Sequence, residues 1–222
     1  MAKASVTPNT DGLIIAPANM RMISLAIKGN APLVQHKFSE KSRKQMLDAQ
    51  TSGSAGKNKS KASRAARDIQ QEYEDAQHRS TEGWIGIPAP AFRSAMISAC
   101  RVAGFQMTKA KLSVFVLPDG FGEDGTPLVR ITKGEPELHQ ASVRLESGVA
   151  SIAIRPMWRE WEAIVNIRFD GDQFKPEDVF NLLQRAGMQV GVGEGRPDSK
   201  KSHGMGWGTF NVDTDSVVVT KV

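Results

Sequence analysis

The sequence predicts an α+β fold, and three patterns indicate it. Apolar residues alternate near the amino end, where Ile23, Leu25 and Ile27 would share one face of a strand. Two later segments have the apolar spacing and the flanking proline and glycine residues of helices. Several short runs elsewhere have the composition of strands. With 222 residues, 40% of them hydrophobic, the chain is long enough to bury a core of its own.

The helices are predicted from their boundaries and their apolar spacing. The first begins at Phe92, after the proline-containing run IGIPAPA, and ends at Gly104. The second begins at Pro176, carries two acidic residues in its first turn, and stops at Gly187. Each has apolar residues recurring at helical spacing, so each would bury one stripe.

The strands are predicted around these two helices. The first runs from Arg21 to Lys37, and residues 1–20 form an amino-terminal extension before it. Trp158 and Trp161 are predicted on one long strand, where they would face opposite ways, so at most one would lie in the main core. The other strands are predicted at Lys111 to Leu117, at Leu128 to Thr132, around Val143, at Ser151 to Arg155, at Trp158 to Phe169, at Met188 to Val192 and at Thr209 to Val222.

The order of these elements specifies the fold further. After the first strand come an insertion, a helix, strands, a long strand, the second helix and a final strand. This is the βαββαβ order of a ferredoxin-like fold, with extra strands added. We therefore expect residues 21–222 to form one domain.

Positive charge is concentrated in the insertion, at about residues 39–80. Between Lys41 and Arg67 eight basic residues stand against one acid, a net charge of +7, while the remaining residues sum to −2. The run SGSAGKNKSK has almost no apolar residue, so it cannot bury enough surface to offset the entropy of ordering it. We expect a mobile, basic insertion. A lysine-rich loop of this kind could also serve only for solubility.

Several classes of protein are not expected. The single cysteine, Cys100, cannot form an intrachain disulfide, which fits a reducing cytoplasm. No Cys/His grouping has the spacing of a zinc site, and no cofactor is expected. No apolar run approaches the roughly 20 residues that span a bilayer, so no membrane partner is expected.

Glycine is unusually dense near the carboxyl end. The segment GMQVGVGEGRP is followed, after DSKKSH, by GMGWGTF. Glycines at this density allow a backbone to approach a ligand closely and to present N–H groups to phosphate oxygens. The helix precedes the glycines, so the segment is neither a Walker loop nor a dinucleotide fingerprint. The alternative is a flexible hairpin between two strands.

Two segments resemble a known family. IPAPAFRSAMISA resembles the proline-containing entry to the first helix of the CRISPR-associated RAMP (repeat-associated mysterious protein) superfamily. AGMQVGVGEGRP, with SHGMGWGTFNV after it, resembles that superfamily's glycine-rich loop and last strand. The resemblance covers roughly Arg21 to Val212 in element order. A basic insertion after the first strand is similar to the thumb of the subunits that coat a guide RNA.

The resemblance implies a function. Members bind single-stranded RNA on a modified RNA-recognition fold, and the backbone subunits assemble head to tail along it. The aromatic motifs of an ordinary RNA-recognition domain are missing, and aromatic residues make up 6% of the chain, so contacts to phosphate should supply most of the affinity. We expect an RNA-binding backbone protein that works as a multimer, with other ribonucleoprotein subunits as further partners, and without chemistry of its own.

Two alternatives stay open. The superfamily also contains metal-independent ribonucleases with a histidine near the first strand, where His36 lies. A phage-type single-stranded DNA-binding or annealing protein could reuse the same fold. The residues that we expect to contact nucleic acid are Lys37, Lys41, Arg43, Lys44, Lys57, Lys59, Lys61, Arg64, Arg67, Arg93, Arg196, Lys200, Lys201, His203, Gly204, Gly206 and Trp207.

Overall fold

The computed structural model describes residues 17–38, 40–51, 67–144, 148, 150–199 and 204–221. The helices in these ranges are α1 (Glu40–Thr51), α2 (Ile69–Asp75), α3 (Ala89–Ala103), α4 (Met107–Ser113) and α5 (Pro176–Arg185). The strands are β1 (Met20–Gly29), β2 (Leu33–Val34), β3 (Gly86–Pro88), β4 (Val114–Leu117), β5 (Gly120–Phe121), β6 (Pro127–Lys133), β7 (Glu137–Arg144), β8 (Ala150–Trp158), β9 (Glu162–Asp170), β10 (Phe210–Val212) and β11 (Val218–Lys221).

The strands form two antiparallel sheets. The main sheet, as far as the described ranges show it, has eight strands, five of which follow one another in the order β10-β1-β9-β6-β3. Strand β11 also pairs with β1, β4 also pairs with β9, and β5 pairs with β6. The second sheet has the order β2-β8-β7. The α+β class predicted from the sequence is confirmed.

The core lies between the main sheet and the helices α3 and α5. Ile23, Leu25 and Ile27 of β1 are at most 1% exposed, as their alternation predicted. Phe92 of α3 and Leu183 of α5 pack in the same cluster. Each large apolar side chain buried in this way stabilises the fold by about 1.5–3 kcal/mol.

Both predicted helices are present, although α3 begins at Ala89, before the predicted Phe92. Helix α3 has Pro90 in its first turn and ends at Gly104, whose φ of 70° suits a residue without a Cβ. Helix α5 begins at Pro176, and Asp178 accepts a hydrogen bond from the backbone N–H of Lys175 at 2.9 Å. This bond satisfies a donor at the amino end of the helix.

Two strand predictions near the ends of the chain are wrong in extent. The strand predicted from Arg21 to Lys37 ends at Gly29, and the chain then enters the second sheet at β2. The strand predicted from Thr209 to Val222 is two strands, β10 and β11. A 3₁₀ turn separates them, because Asp213 accepts a bond from the N–H of Asp215 at 3.1 Å and bends the backbone.

Two other predicted strands contain helical structure. Residues 111–113, predicted to begin a strand, close α4, and β4 starts only at Val114. Residues 188–190, predicted as a strand, belong to a π-helical turn at Ala186–Val190 that continues α5. Gly187 does not stop the helix. Its Cα packs so closely on Phe210 that an added Cβ would lie 2.2 Å from the carbonyl oxygen of Phe210.

The prediction for the two tryptophans is also wrong, because both are buried in the main core at 1% exposure. They do not share a strand: Trp158 ends β8, and Trp161 precedes β9 after a turn. The turn removes the alternation that would have placed them on opposite faces. The indole N–H of Trp161 donates to the carbonyl oxygen of Ala31 at 2.9 Å.

The predicted insertion at about 39–80 is partly folded against the body. Helix α2 packs on β8, and the hydroxyl of Tyr73 donates to the carbonyl oxygen of Pro136 at 2.7 Å. Ala76, Gln77 and Ser80 are buried. Residues 67–80 therefore belong to the domain. The lysine-rich part of the insertion, 52–66, lies outside the described residues. No helix in the described ranges is long and apolar enough to cross a membrane.

Candidate functional site

An open cleft of about 1420 Å³ lies where the two sheets meet. The first turns of α3 form one wall, the glycine-rich segment after α5 forms the second, and residues 139–143 of β7 form the third. Residues after β2, among them His36, close one end. The cleft therefore combines segments from four distant parts of the chain.

The glycine-rich segment is held by backbone hydrogen bonds to β2 and to the residues just before it. The N–H of Glu194 donates to the carbonyl oxygen of Val34 at 2.9 Å, and that of Gly208 donates to Pro32 at 2.7 Å. Within the segment, the N–H of Val192 donates to Gly208 at 2.9 Å. These bonds indicate that the glycine-rich segment is anchored to the rest of the protein. They argue against the flexible hairpin, which was the alternative from the sequence.

Three of the glycines allow the protein to pack on itself. A Cβ on Gly193 would lie 2.5 Å from the carbonyl oxygen of Val34, and one on Gly208 would lie 1.7 Å from that of Val192. A Cβ on Gly195 would lie 2.5 Å from the ring of Trp207. Real Cβ atoms do not approach other atoms so closely, so these positions accept no side chain without movement.

Gly204 and Gly206 differ from those three. Their φ angles are 64° and 74°, which favour glycine, but nothing lies within 4 Å of a Cβ built on either residue. Met205 between them lines the cleft. This short stretch is the part of the glycine-rich segment whose backbone has open space beside it.

A direct contact joins α3 to Asp198, the residue that follows GMQVGVGEGRP. Ser98 of α3 donates a hydrogen bond to Asp198, and Arg101 pairs with the same carboxylate at 2.9 Å. The bond from Ser98 and the charge of Arg101 hold the pKa of Asp198 below its ordinary value. Asp198 therefore stays ionised at neutral pH and fixes the glycine-rich segment against α3.

His36, Arg155 and Glu194 form a polar group at one end of the cleft. Arg155 donates to the carboxylate of Glu194 at 2.6 Å, and its Nη2 lies 3.2 Å from Nδ1 of His36. Burial and the charge of Arg155 lower the pKa of His36, against the opposing effect of Glu194. Arginine can only donate, so Nδ1 accepts, and the neutral ring carries its proton on Nε2. This tautomer gives no support to His36 as the general base of a ribonuclease.

His78 also lines the cleft and is held neutral. Burial, assisted by the charge of Lys37, lowers its pKa to about 4, although Asp124 acts in the opposite direction. Its backbone N–H donates at 3.1 Å to the side chain of Gln35, which is 3% exposed. Gln35 also donates to the carbonyl oxygen of Gly86 in β3 at 2.8 Å. It therefore links the segment after β2 to the strand that leads into α3.

The neutral state of His78 makes stability depend on pH. In the unfolded chain the imidazole takes up a proton near pH 6.5, but in the folded protein only near pH 4. Its contribution is therefore complete above pH 6.5 and is lost as the pH falls toward 4. We expect urea denaturation at pH 5 to give a free energy of unfolding about 2 kcal/mol below the value at pH 7 from this residue. His78→Gln should remove that part of the difference; an unchanged pH dependence in the variant would contradict this account.

The structure brings only some of the predicted site residues to the cleft. Arg196 and Trp207 line it, with Gly204 and Gly206 beside Met205. Lys37 lies next to the cleft, 3.8 Å from the carboxylate of Asp124. Trp207 packs on Gly195 and meets the ring of His139 edge-on at 5.6 Å. Its surroundings are therefore those of a packed side chain and not of a free stacking platform.

Other predicted residues lie elsewhere. Arg93 lies outside the cleft and donates to the carbonyl oxygen of Val114 at 2.9 Å. Arg67 pairs with Glu72 and donates to the carbonyl oxygen of Ile152 at 2.9 Å. Arg43 and Lys44 are exposed on α1, which also carries Lys41. The residues outside the described ranges are Lys57, Lys59, Lys61, Arg64, Lys200, Lys201 and His203.

The sequence did not indicate the third wall of the cleft. His139 and Gln140 of β7 line the cleft only because β7 and β8 form a hairpin that pairs with β2. Arg155 reaches the cleft from β8 in the same way. Neither strand carries a local motif, so only the long-range packing reveals this wall.

No group of three or more His, Cys, Asp or Glu side chains in the described part of the chain could hold a metal ion. No protein-family model matches the chain, and no curated protein matches its sequence. The RAMP resemblance therefore stays a prediction, which rests on the two motif segments alone.

Proposed function

We propose that the chain is a cytoplasmic RAMP-like backbone protein that binds single-stranded RNA along the cleft and assembles with copies of itself on a guide RNA. One observation carries the proposal. The two segments that resemble the superfamily, about one hundred residues apart in sequence, form adjoining walls of one cleft. Ser98 of the first segment, with Arg101 just after it, binds Asp198, which directly follows the first part of the second segment.

The topology supports a ferredoxin-like core. Strands β10, β1, β9 and β4 lie side by side in that order and are antiparallel. Helix α3 connects β1 to β4 through added elements, and α5 connects β9 to β10. A βαββαβ unit has its strands in the same fourth-first-third-second order with helices on one face, and this likeness supports the proposal.

The groups in the cleft suit a sugar-phosphate chain better than stacked bases. Arg196 brings positive charge to the cleft, where Arg155 pairs with Glu194, and two serines, Ser94 and Ser142, lie along two of the walls. The open backbone at 204–206 gives close access to one side. Aromatic stacking has little part, because Trp207 is already packed. Hydrogen bonds to ionised groups are the stronger ones, so contacts between arginine and phosphate should dominate the affinity.

The proposal is tested by a matched pair of arginine variants. Arg196 lies in the cleft, where it donates to the carbonyl oxygen of Gly193 at 3.0 Å, and Arg185 is exposed at the end of α5 outside it. Both substitutions by alanine remove one charge. We expect Arg196→Ala to weaken binding of a labelled single-stranded RNA about tenfold, the value of one charge-assisted contact. Arg185→Ala should weaken it less than about twofold.

Melting temperatures of both variants serve as the control. They show whether loss of the hydrogen bond from Arg196 to Gly193 lowers the stability of the protein. Equal effects of the two substitutions on RNA affinity would contradict binding in the cleft. Loss of affinity only in proportion to loss of folded protein would contradict it too.

A further inference from the structure

Glu194 brings a negative charge to the cleft, and this charge is already balanced. Its Oε2 atom accepts a hydrogen bond from Nε of Arg155 at 2.6 Å. The Arg155 side chain is 15% exposed and also donates to the carbonyl oxygen of Ile154 at 2.9 Å, so it is fixed in place. A balanced ion pair has little net attraction for a phosphate. This end of the cleft therefore suits an uncharged polar group.

Two atoms beside this ion pair have no partner among the described residues. Within those ranges the contacts of the Glu194 carboxylate are all to Oε2, which leaves Oε1 to accept a hydrogen bond. His36 meets Arg155 through Nδ1, so its Nε2–H remains a donor. The side chains of His36 and Glu194 are 50% and 36% exposed, and both line the cleft. Nδ1 of His36 lies 3.6 Å from Oε2 of Glu194, so the acceptor and the donor belong to neighbouring side chains.

A ribose 2′-hydroxyl matches this pair of atoms. Through its single oxygen the hydroxyl both donates and accepts, so it can donate to Oε1 of Glu194 and accept from Nε2–H of His36. Carboxylates bind ribose hydroxyls in the same way in dinucleotide sites. A base edge also carries donors and acceptors, but a base is held largely by stacking, and the ring of Trp207 is packed on Gly195. The match is therefore to the sugar.

We infer that Glu194 and His36 bind a 2′-hydroxyl and make the cleft select RNA over DNA. This inference rests on the proposed function and deepens it, because it assigns the choice of nucleic acid to two side chains. Arg196 contacts phosphate, which RNA and DNA share, whereas Glu194 accepts from a group that DNA lacks. The two kinds of contact can therefore be removed separately.

The first test compares labelled single strands of RNA and DNA that have the same sequence. Glu194→Ala should reduce the ratio of RNA affinity to DNA affinity about tenfold, the value of one hydrogen bond to an ionised group. The affinity for DNA should not fall, because the substitution removes a negative charge and leaves Arg155 able to contact phosphate. Glu160→Ala is the matched control, since Glu160 is exposed outside the cleft and its replacement removes the same charge. A ratio that falls no further in Glu194→Ala than in the control overturns the inference.

The second test uses the wild-type chain, so it does not depend on how a variant folds. RNA whose 2′-hydroxyls are replaced by fluorine has no hydroxyl proton to donate to Oε1 of Glu194. We expect the wild-type chain to bind this strand about tenfold more weakly than natural RNA. Equal affinity for the two strands would contradict the inference.

The outcomes separate the inference from the proposed function. RNA binding that Arg196→Ala weakens, with a preference over DNA that does not depend on Glu194, contradicts the inference alone. A wild-type chain that binds neither RNA nor DNA contradicts the proposed function, and the inference with it.

Discussion

Gly208→Ala is expected to lower the free energy of unfolding by roughly 2–5 kcal/mol. The φ of Gly208 is 65°, which costs an alanine about 1–2 kcal/mol. The new Cβ would also lie 1.7 Å from the carbonyl oxygen of Val192, so the two backbones must separate. Separation breaks the bond from the N–H of Val192 to Gly208 and strains the packing around it, at a further cost of about 1–3 kcal/mol.

Gly206→Ala is the matched control for this prediction. Gly206 has a φ of 74°, but nothing lies within 4 Å of its Cβ position, so only the backbone strain of about 1–2 kcal/mol remains. Urea denaturation of the two variants isolates the effect of the close contact. Equal losses of stability would show that the contact between Gly208 and Val192 does not constrain the wall of the cleft.

Replacement of Lys57, Lys59 and Lys61 together by alanine is expected to produce the largest loss of RNA affinity. The three lysines lie in the segment whose net charge is +7. Each contact between a lysine and phosphate on a single strand contributes about 0.7 to the slope of log K against log salt, so the slope should fall by as much as about 2. The affinity at low salt should fall with it. Fluorescence anisotropy of a labelled RNA, measured at several salt concentrations, gives both quantities.

A second triple variant separates position from charge. Lys109, Lys111 and Lys133 are exposed elsewhere on the surface, and of the three only Lys133 forms an ion pair among the described residues, with Glu162 at 3.1 Å. Their replacement by alanine removes the same charge from the chain. We expect a much smaller change in slope. Equal slopes for the two triple variants would show that the RNA responds to net charge alone and not to the insertion.

Local patterns were sufficient to predict the elements that form the core. The alternation in β1 and the stripes of α3 and α5 depend on neighbours along the chain, and in each case the tertiary structure agrees with them. The errors arose where a short apolar run suits both a helix and a strand. Residues 188–190 are part of such a run. The close packing of Gly187 against Phe210 favours the π-helical turn over a strand there.

The candidate site could be predicted only in part for a similar reason. The density of glycines in the sequence indicated the segment that forms one wall. Gly204 and Gly206 have positive φ angles, which favour glycine over other residue types. The role of the other glycines was different from the one expected: Gly193 and Gly208 allow contact with the protein's own backbone. Arg155 could not be found at all, since its position depends on how β8 packs beside β2.

Titration of the wild-type chain with one single-stranded RNA, from about 50 to 200 mM salt, tests the central claim most directly. The account predicts binding whose log K falls linearly as log salt rises, with a slope that corresponds to several phosphate contacts. A DNA strand of the same sequence, titrated in parallel, should bind more weakly, because it lacks the 2′-hydroxyl. Absence of RNA binding at the lowest salt, or an affinity that salt does not change, would contradict the account.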